Sequence, residues 1–300
     1  MRRANHRSLS RFEHWWQCGV LSSLNFVKTK INCFIGALLA VASTAYAAEF
    51  SDAAIAYSHG ERFREPGNEL NIAKDILTLW YFSTNSLGSN FFNVDMLQSD
   101  RNDPANNGTH GAQEVYVVYR NYLSLGKLSK KDYSFGPVRD VGLRSGFDYS
   151  SKNSAFGGAE QKLMVGPEVE FDVPGYLSLS VMALKDWGNN SIVGVQVNSD
   201  VTYRVALNWI FDLSLGLPAT FRGWATYTGT RGTDGFGNGM HPETWTEMAL
   251  LWDVGTAMGA TPKKYLAGVG YQYIKNKFNV QPSVAGSRTS TPMLRAEVHF

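Results

Sequence analysis

The residues of this sequence that could do chemistry are charged and aromatic side chains recurring at even spacings. Tyr116, Arg120 and Tyr122 are separated by four and two positions. Arg144 and Asp148 are four apart, and Glu168 and Glu170, Arg222 and Trp224, Trp245 and Glu247, and Arg295 and Glu297 are each two apart. Phe91 and Asp95 are separated by four, and Arg204 stands in a similar alternating stretch. On a β-strand, residues an even number apart share one face. Flat rings on such a face can stack on a planar part of a solute. Interleaved guanidinium and carboxylate groups supply donors and acceptors for hydroxyls. This is binding chemistry with no bond made or broken. Taken singly, each charge reads as half of an ion pair filling space; taken together, they describe a polar passage.

Covalent chemistry finds little to work with. Beyond residue 47 the histidines are His59, His110, His241 and His299. No Gly-x-Ser-x-Gly elbow accompanies them, and His110 and His241 lie in segments rich in turn residues. Gly268-Val269-Gly270 sits within a strand pattern and lacks the following helix of a nucleotide loop. Both cysteines, Cys18 and Cys33, fall in the first 47 residues. The expectation is therefore no catalytic residue, no metal and no cofactor.

Those first 47 residues read as a targeting segment. Lys28 and Lys30 form a basic region, Ile31 to Ala42 a short apolar one, and Ala45-Tyr46-Ala47 a small-x-small site with cleavage expected after Ala47. Residues 1–26 are an odd prefix to such a leader, and the true start is expected near Val27. The division is thus 1–47, extension and signal peptide, and 48–300, the mature domain. The chain holds 28 basic and 26 acidic residues, of which 1–47 take six and one. The mature balance is 22 minus 25, or −3, which argues against nucleic acid as a partner.

The elements that must position the charged faces are strands. Leu294, Ala296, Val298 and Phe300 alternate with Met293, Arg295, Glu297 and His299. Leu163, Val165, Val169 and Phe171 alternate likewise with Lys162, Glu168, Glu170 and Asp172. Twelve such segments begin near Ala53, Asn71, Ser89, Gln113, Val138, Gln161, Tyr176, Val201, Thr220, Glu243, Tyr265 and Pro292. Connections after odd segments are mostly long and polar: 98–111, 150–160, 186–200, 229–242 and 275–291. Those after even segments are mostly short. Long loops at one end and tight turns at the other are the layout of bacterial outer-membrane barrels. Tyr149, Trp187, Trp209, Phe211, Trp252, Tyr271 and Tyr273 border strand ends, as interfacial girdles do. The fold expected is all-β, a transmembrane antiparallel barrel of 12 strands in the outer membrane, with lipid as one partner. The terminal Phe300 resembles the signal read by the barrel-assembly machinery, a second expected partner.

Three stretches carry a family resemblance. Tyr57-Ser58-His59-Gly60-Glu61-Arg62-Phe63-Arg64-Glu65-Pro66 resembles the first-strand signature of the nucleoside-specific outer-membrane channels, the Tsx family. Gly88 to Asp100 resembles the third-strand stretch of that family's broader branch, and Asp132-Tyr133-Ser134-Phe135-Gly136-Pro137 the run after its fourth strand. The resemblance implies a monomeric 12-stranded barrel passing nucleosides down their gradient, with Arg62 and Phe63 in contact with solute. Arg62 and Phe63 can both face inward only if the strand is irregular, and Gly60 is the candidate bulge. The alternatives are a general or other-substrate porin and, further off, a lipid-modifying barrel enzyme.

Overall fold

The computed structural model describes residues 48–106, 111–153 and 158–300. The leader reading of 1–47, and His110, lie outside the described residues. The remainder is nearly all strand: β1 (Phe50–Phe63), β2 (Ile72–Asn85), β3 (Gly88–Ser99), β4 (Gln113–Ser124), β5 (Val138–Lys152), β6 (Ala159–Phe171), β7 (Tyr176–Asn190), β8 (Val195–Asn198), β9 (Thr202–Leu215), β10 (Leu217–Thr228), β11 (Glu243–Asp253), β12 (Tyr265–Lys275) and β13 (Arg288–His299). Every pairing among them is antiparallel, and each strand follows its sequence neighbour except β8. Ala54 to Gly60 of β1 pair with His299 to Met293 of β13, which joins first strand to last. Setting β8 aside, the result is a closed 12-stranded barrel.

Closure leaves the twelve strands of the ring without a sheet edge. The twelve strands of the ring, 11 to 15 residues long, meet or exceed the roughly 9 to 11 needed to cross a bilayer. Leu163, Val165, Val181, Tyr203, Val269 and Leu294 point outward and are exposed; Leu294 is 68% exposed. Such a surface is stable only against lipid, where a closed barrel is the one sheet that satisfies all of its backbone groups. The chain is an outer-membrane barrel. Its interior holds three small apolar clusters separated by charge: Phe63, Ile72, Ile76 and Met293; Met164, Met182, Leu184 and Ala206; Ala249, Leu251 and Leu266.

The two ends differ as the loop lengths predict, with corrections. β2 and β3 are joined by two residues, and β9 and β10 by Gly216 alone, whose φ of +78° suits glycine. The connection 125–137 is the longest at that same end among the described residues and contains a helical turn, α1 (Leu125–Ser129). At the other end the expected loop 186–200 is partly strand. β7 continues to Asn190, and β8 pairs with Trp187 to Asn190 beyond the ring. The last loop is shorter than expected because β13 begins at Arg288.

Candidate functional site

The site is the lumen, and register decides what lines it. Thr78 pairs with Asp95, Asp95 with Tyr116 and Tyr116 with Ser150, which carries one inward row from β2 to β5. By the same parity Phe91, Arg120 and Tyr122 face inward, as do Arg144, Asp148, Glu168, Glu170 and Arg204. So do Arg222, Trp224, Trp245, Glu247, Arg295 and Glu297. The girdle residues Tyr149, Trp187, Trp209, Phe211, Trp252, Tyr271 and Tyr273 take the opposite parity and face out.

The first-strand pair behaves differently. Gly60 pairs with Lys74 and Phe63 with Ile72, so β1 carries one extra residue here, the bulge Gly60 permits. The bulge turns Phe63 inward, where it packs at 2% exposure against Ile72, Ile76 and Met293. Lys74 Nζ lies 5.7 Å from its ring centre. No face of this ring is open to a solute. Arg62 is exposed at the rim and has no hydrogen bond or ion pair among the described residues.

Inside, charges pair across strands that are not neighbours. Arg204 Nη1 on β9 lies 3.2 Å from Asp148 Oδ2 on β5, and Arg120 Nη2 lies 2.6 Å from Asp148 Oδ1. Gly146 makes room for this: a Cβ there would meet Arg120 Cδ at 2.8 Å and the Tyr119 carbonyl oxygen at 2.3 Å. Arg222 on β10 reaches Glu297 on β13, and Arg295 lies 2.6 Å from Glu297 and 3.3 Å from Glu247. Nearer the turn end Arg144 grips Glu168 with two nitrogens, and Arg139 holds Glu170 at 3.2 Å. Asp95 accepts a 2.6 Å bond from Thr78.

Aromatic rings bridge the same space. Tyr116 and Trp245 come from opposite walls, six strands apart around the ring, yet their ring centres are 5.8 Å apart. Trp224 continues the row 5.5 Å beyond Trp245. The indole N–H of Trp245 is buried without a partner among the described residues. Trp80, which the sequence reading passed over, faces inward beneath Arg222, whose guanidinium carbon is 5.3 Å from its ring centre. Its run Ile76 to Phe82 is apolar on nearly every residue, so no alternation marks the inward face.

The loop-end mouth carries a second constellation missed in the sequence, because its members lie far apart in the chain. Glu65 Oε1 is 2.8 Å from Lys74, 2.9 Å from Lys277 and 3.2 Å from Lys152. Lys152 also lies 3.4 Å from Glu114. Burial alone would raise the Glu65 carboxyl; the charges of Lys277, Lys74 and Lys152 overcome it and hold the group well below the usual carboxylate range. Burial lowers Lys277, and Lys74 and Lys152 lower it further against the pull of Glu65. Glu65 thereby ties β2, β5 and the β12–β13 loop together over the pore. Gly286 completes the seam, since a Cβ there would stand 2.0 Å from the Glu65 carbonyl oxygen. On the facing rim Arg231 bonds Asp186 and lies 3.2 Å from Glu160.

Outside the barrel, Asp75 accepts from Tyr57 at 2.5 Å and lies 2.8 Å from His59 Nδ1. No Ser, Thr or Cys side chain bonds His59 among the described residues.

No family model matches the chain, and no curated protein matches it. Solved structures similar to it include the NanC porin, 12% identical with a TM-score of 0.47 over 82% of this chain and 98% of that one. An outer-membrane channel from Pseudomonas putida F1 is 10% identical with a TM-score of 0.46 over 85% and 97%. The KdgM porin in complex with disordered oligogalacturonate is 12% identical with a TM-score of 0.42 over 82% and 99%.

Proposed function

We propose that the barrel is a passive channel for small polar solutes and that nucleosides are its leading cargo. The observation that carries this reading is the row Tyr116, Trp245 and Trp224, laid across the lumen and flanked by the Arg222, Glu297, Arg295 and Glu247 charges. A barrel of 12 strands is wider than the eight-stranded kind that side chains fill, so where opposite walls touch, they make a constriction. A solute at this level must part or skirt the row. A flat aromatic base does so by exchanging one stacking partner for another, and a sugar without an aromatic base has no such face to exchange.

The unpartnered Trp245 N–H supports the same cargo, because an acceptor on the solute relieves the cost of an unpaired buried donor, about 1 to 3 kcal/mol. The charges beside the row give ribose hydroxyls both donors and acceptors. Each contact is weak, as conduction requires. The resemblance of three stretches to the nucleoside-channel family points to the same cargo. Solute contact is assigned to Phe91, Asp95, Tyr116, Arg222, Trp224, Trp245, Glu247 and Arg295, while Phe63 packs the wall beneath the mouth.

Single-channel recording with added nucleoside tests the assignment. Nucleosides should block the ionic current in a concentration-dependent way, and Trp245→Ala should weaken that block while leaving the barrel folded. Absence of block in the wild type leaves a general pore.

A further inference from the structure

Beyond the lumen, the outer wall bears a built feature at the turn end. α1 folds back against the barrel and, with the wall, encloses a groove of about 420 Å³ lined by Leu123, Leu125, Leu128, Leu143, Pro167 and Val169 among others. Leu123 pairs with Leu143, and Leu143 with Pro167, at outward positions, so the groove is continuous with the lipid-facing surface. Leu125, Leu128, Leu143 and Phe135 leave large apolar areas uncovered. An acyl chain is the occupant this continuity selects, because water would meet almost no polar atom there.

Charge selects the head group. The same connection carries Lys127, Lys130 and Lys131, all exposed. Lys127 is engaged with Glu49 at 3.2 Å and with the Asn85 carbonyl at 2.7 Å. Lys130 and Lys131 have no ion pair among the described residues. The neighbouring carboxylates are already engaged: Asp140 by Ser124 and Tyr122, Glu170 by Arg139, and Asp132 by the backbone N–H of Ser134. Lys130 and Lys131 thus leave two ammonium groups without an ion-pair partner among the described residues, on the connection that supplies Leu125 and Leu128 to the groove.

We propose that this groove is a binding site for one anionic phospholipid of the leaflet on the turn side. Its acyl chain lies between Leu128 and the wall, and its phosphate lies against Lys130 and Lys131. The proposal rests on the membrane barrel and not on which solute passes through it. Basic residues at a membrane surface raise affinity for anionic lipid by roughly fivefold each.

Native mass spectrometry of the full-length detergent-purified barrel tests it, with phosphatidylglycerol and phosphatidylcholine of equal chain length as probes. The wild type should retain one phosphatidylglycerol about tenfold or more in preference to phosphatidylcholine. Lys130→Gln with Lys131→Gln should bring the two lipids to near parity with phosphatidylcholine retention unchanged, and Leu128→Ser should reduce both. Heat-modifiable migration checks that each variant is folded; the lysines are exposed, so their pair of substitutions remains informative even where Leu128→Ser fails to fold. Equal retention of the two lipids by the wild type, or an undiminished preference in the lysine variant, overturns the proposal.

Discussion

Arg204 on β9 reaches over two intervening strands to Asp148 on β5, at 3.2 Å, while Arg120 holds the other carboxylate oxygen at 2.6 Å. One carboxylate thus serves two guanidinium groups inside the barrel. Asp148→Asn leaves both cations without a counter-charge in a largely dehydrated site. Stability should fall by about 3 kcal/mol, read from urea unfolding in detergent micelles. Adding Arg204→Met should recover part of the loss. Additive losses in the double variant would mean the two groups do not act as a pair.

Glu65 and its three lysines hold the mouth. A carboxyl held well below its unfolded value contributes stability that is fully present above that value, about 4.3 for Glu, and is lost only as pH falls through the lower folded one. The latch should therefore hold alike at pH 7 and pH 5, and the difference between wild type and a latch variant should be the same at both. Glu65→Gln releases the tether at both, raising conductance and shifting ion preference toward anions, since three ammonium groups then line the entrance. A Glu65→Gln effect on conductance that is present at pH 7 and gone at pH 5 contradicts this account of the latch.

Leu294 and Arg295 are adjacent on β13 and face opposite solvents. Leu294→Arg places a charge against lipid and should cost about 2 to 4 kcal/mol where it lies near the bilayer midplane. Arg295→Leu should instead leave Glu247 and Glu297 with fewer partners and make the pore more cation-preferring. Folding measurements on the first and reversal potentials on the second separate the two faces.

Trp245→Ala removes the middle ring of the row. Block by nucleosides should weaken by about 1 to 3 kcal/mol per lost stacking contact, while passage of sugars without an aromatic base holds or rises. Equal changes for both solute classes would assign Trp245 to packing.

How much of this was legible follows from which contacts are local. Residues such as Arg295 and Leu294 declare their faces because alternation on β13 is clean. Trp80 does not, because its neighbours are apolar on both sides. Phe63 was singled out by motif, but a one-residue bulge after Gly60 decides that its ring packs against Ile72 and Met293. Glu65 meets Lys152 and Lys277 only after the barrel closes, and no spacing along the chain encodes that. Tyr116 and Trp245 likewise meet across the full width of the ring. The helical turn α1 in the 125–137 connection is not legible either, since nothing in its spacing separates a loop from a loop bearing a turn of helix.

The most direct test of the central claim is osmotic swelling of liposomes containing the purified barrel, comparing nucleosides with sugars of matched mass. Faster entry of nucleosides, lost on Trp245→Ala, is the result expected of a lumen whose waist is an aromatic row. Equal entry of both classes, or no entry of either, would contradict it.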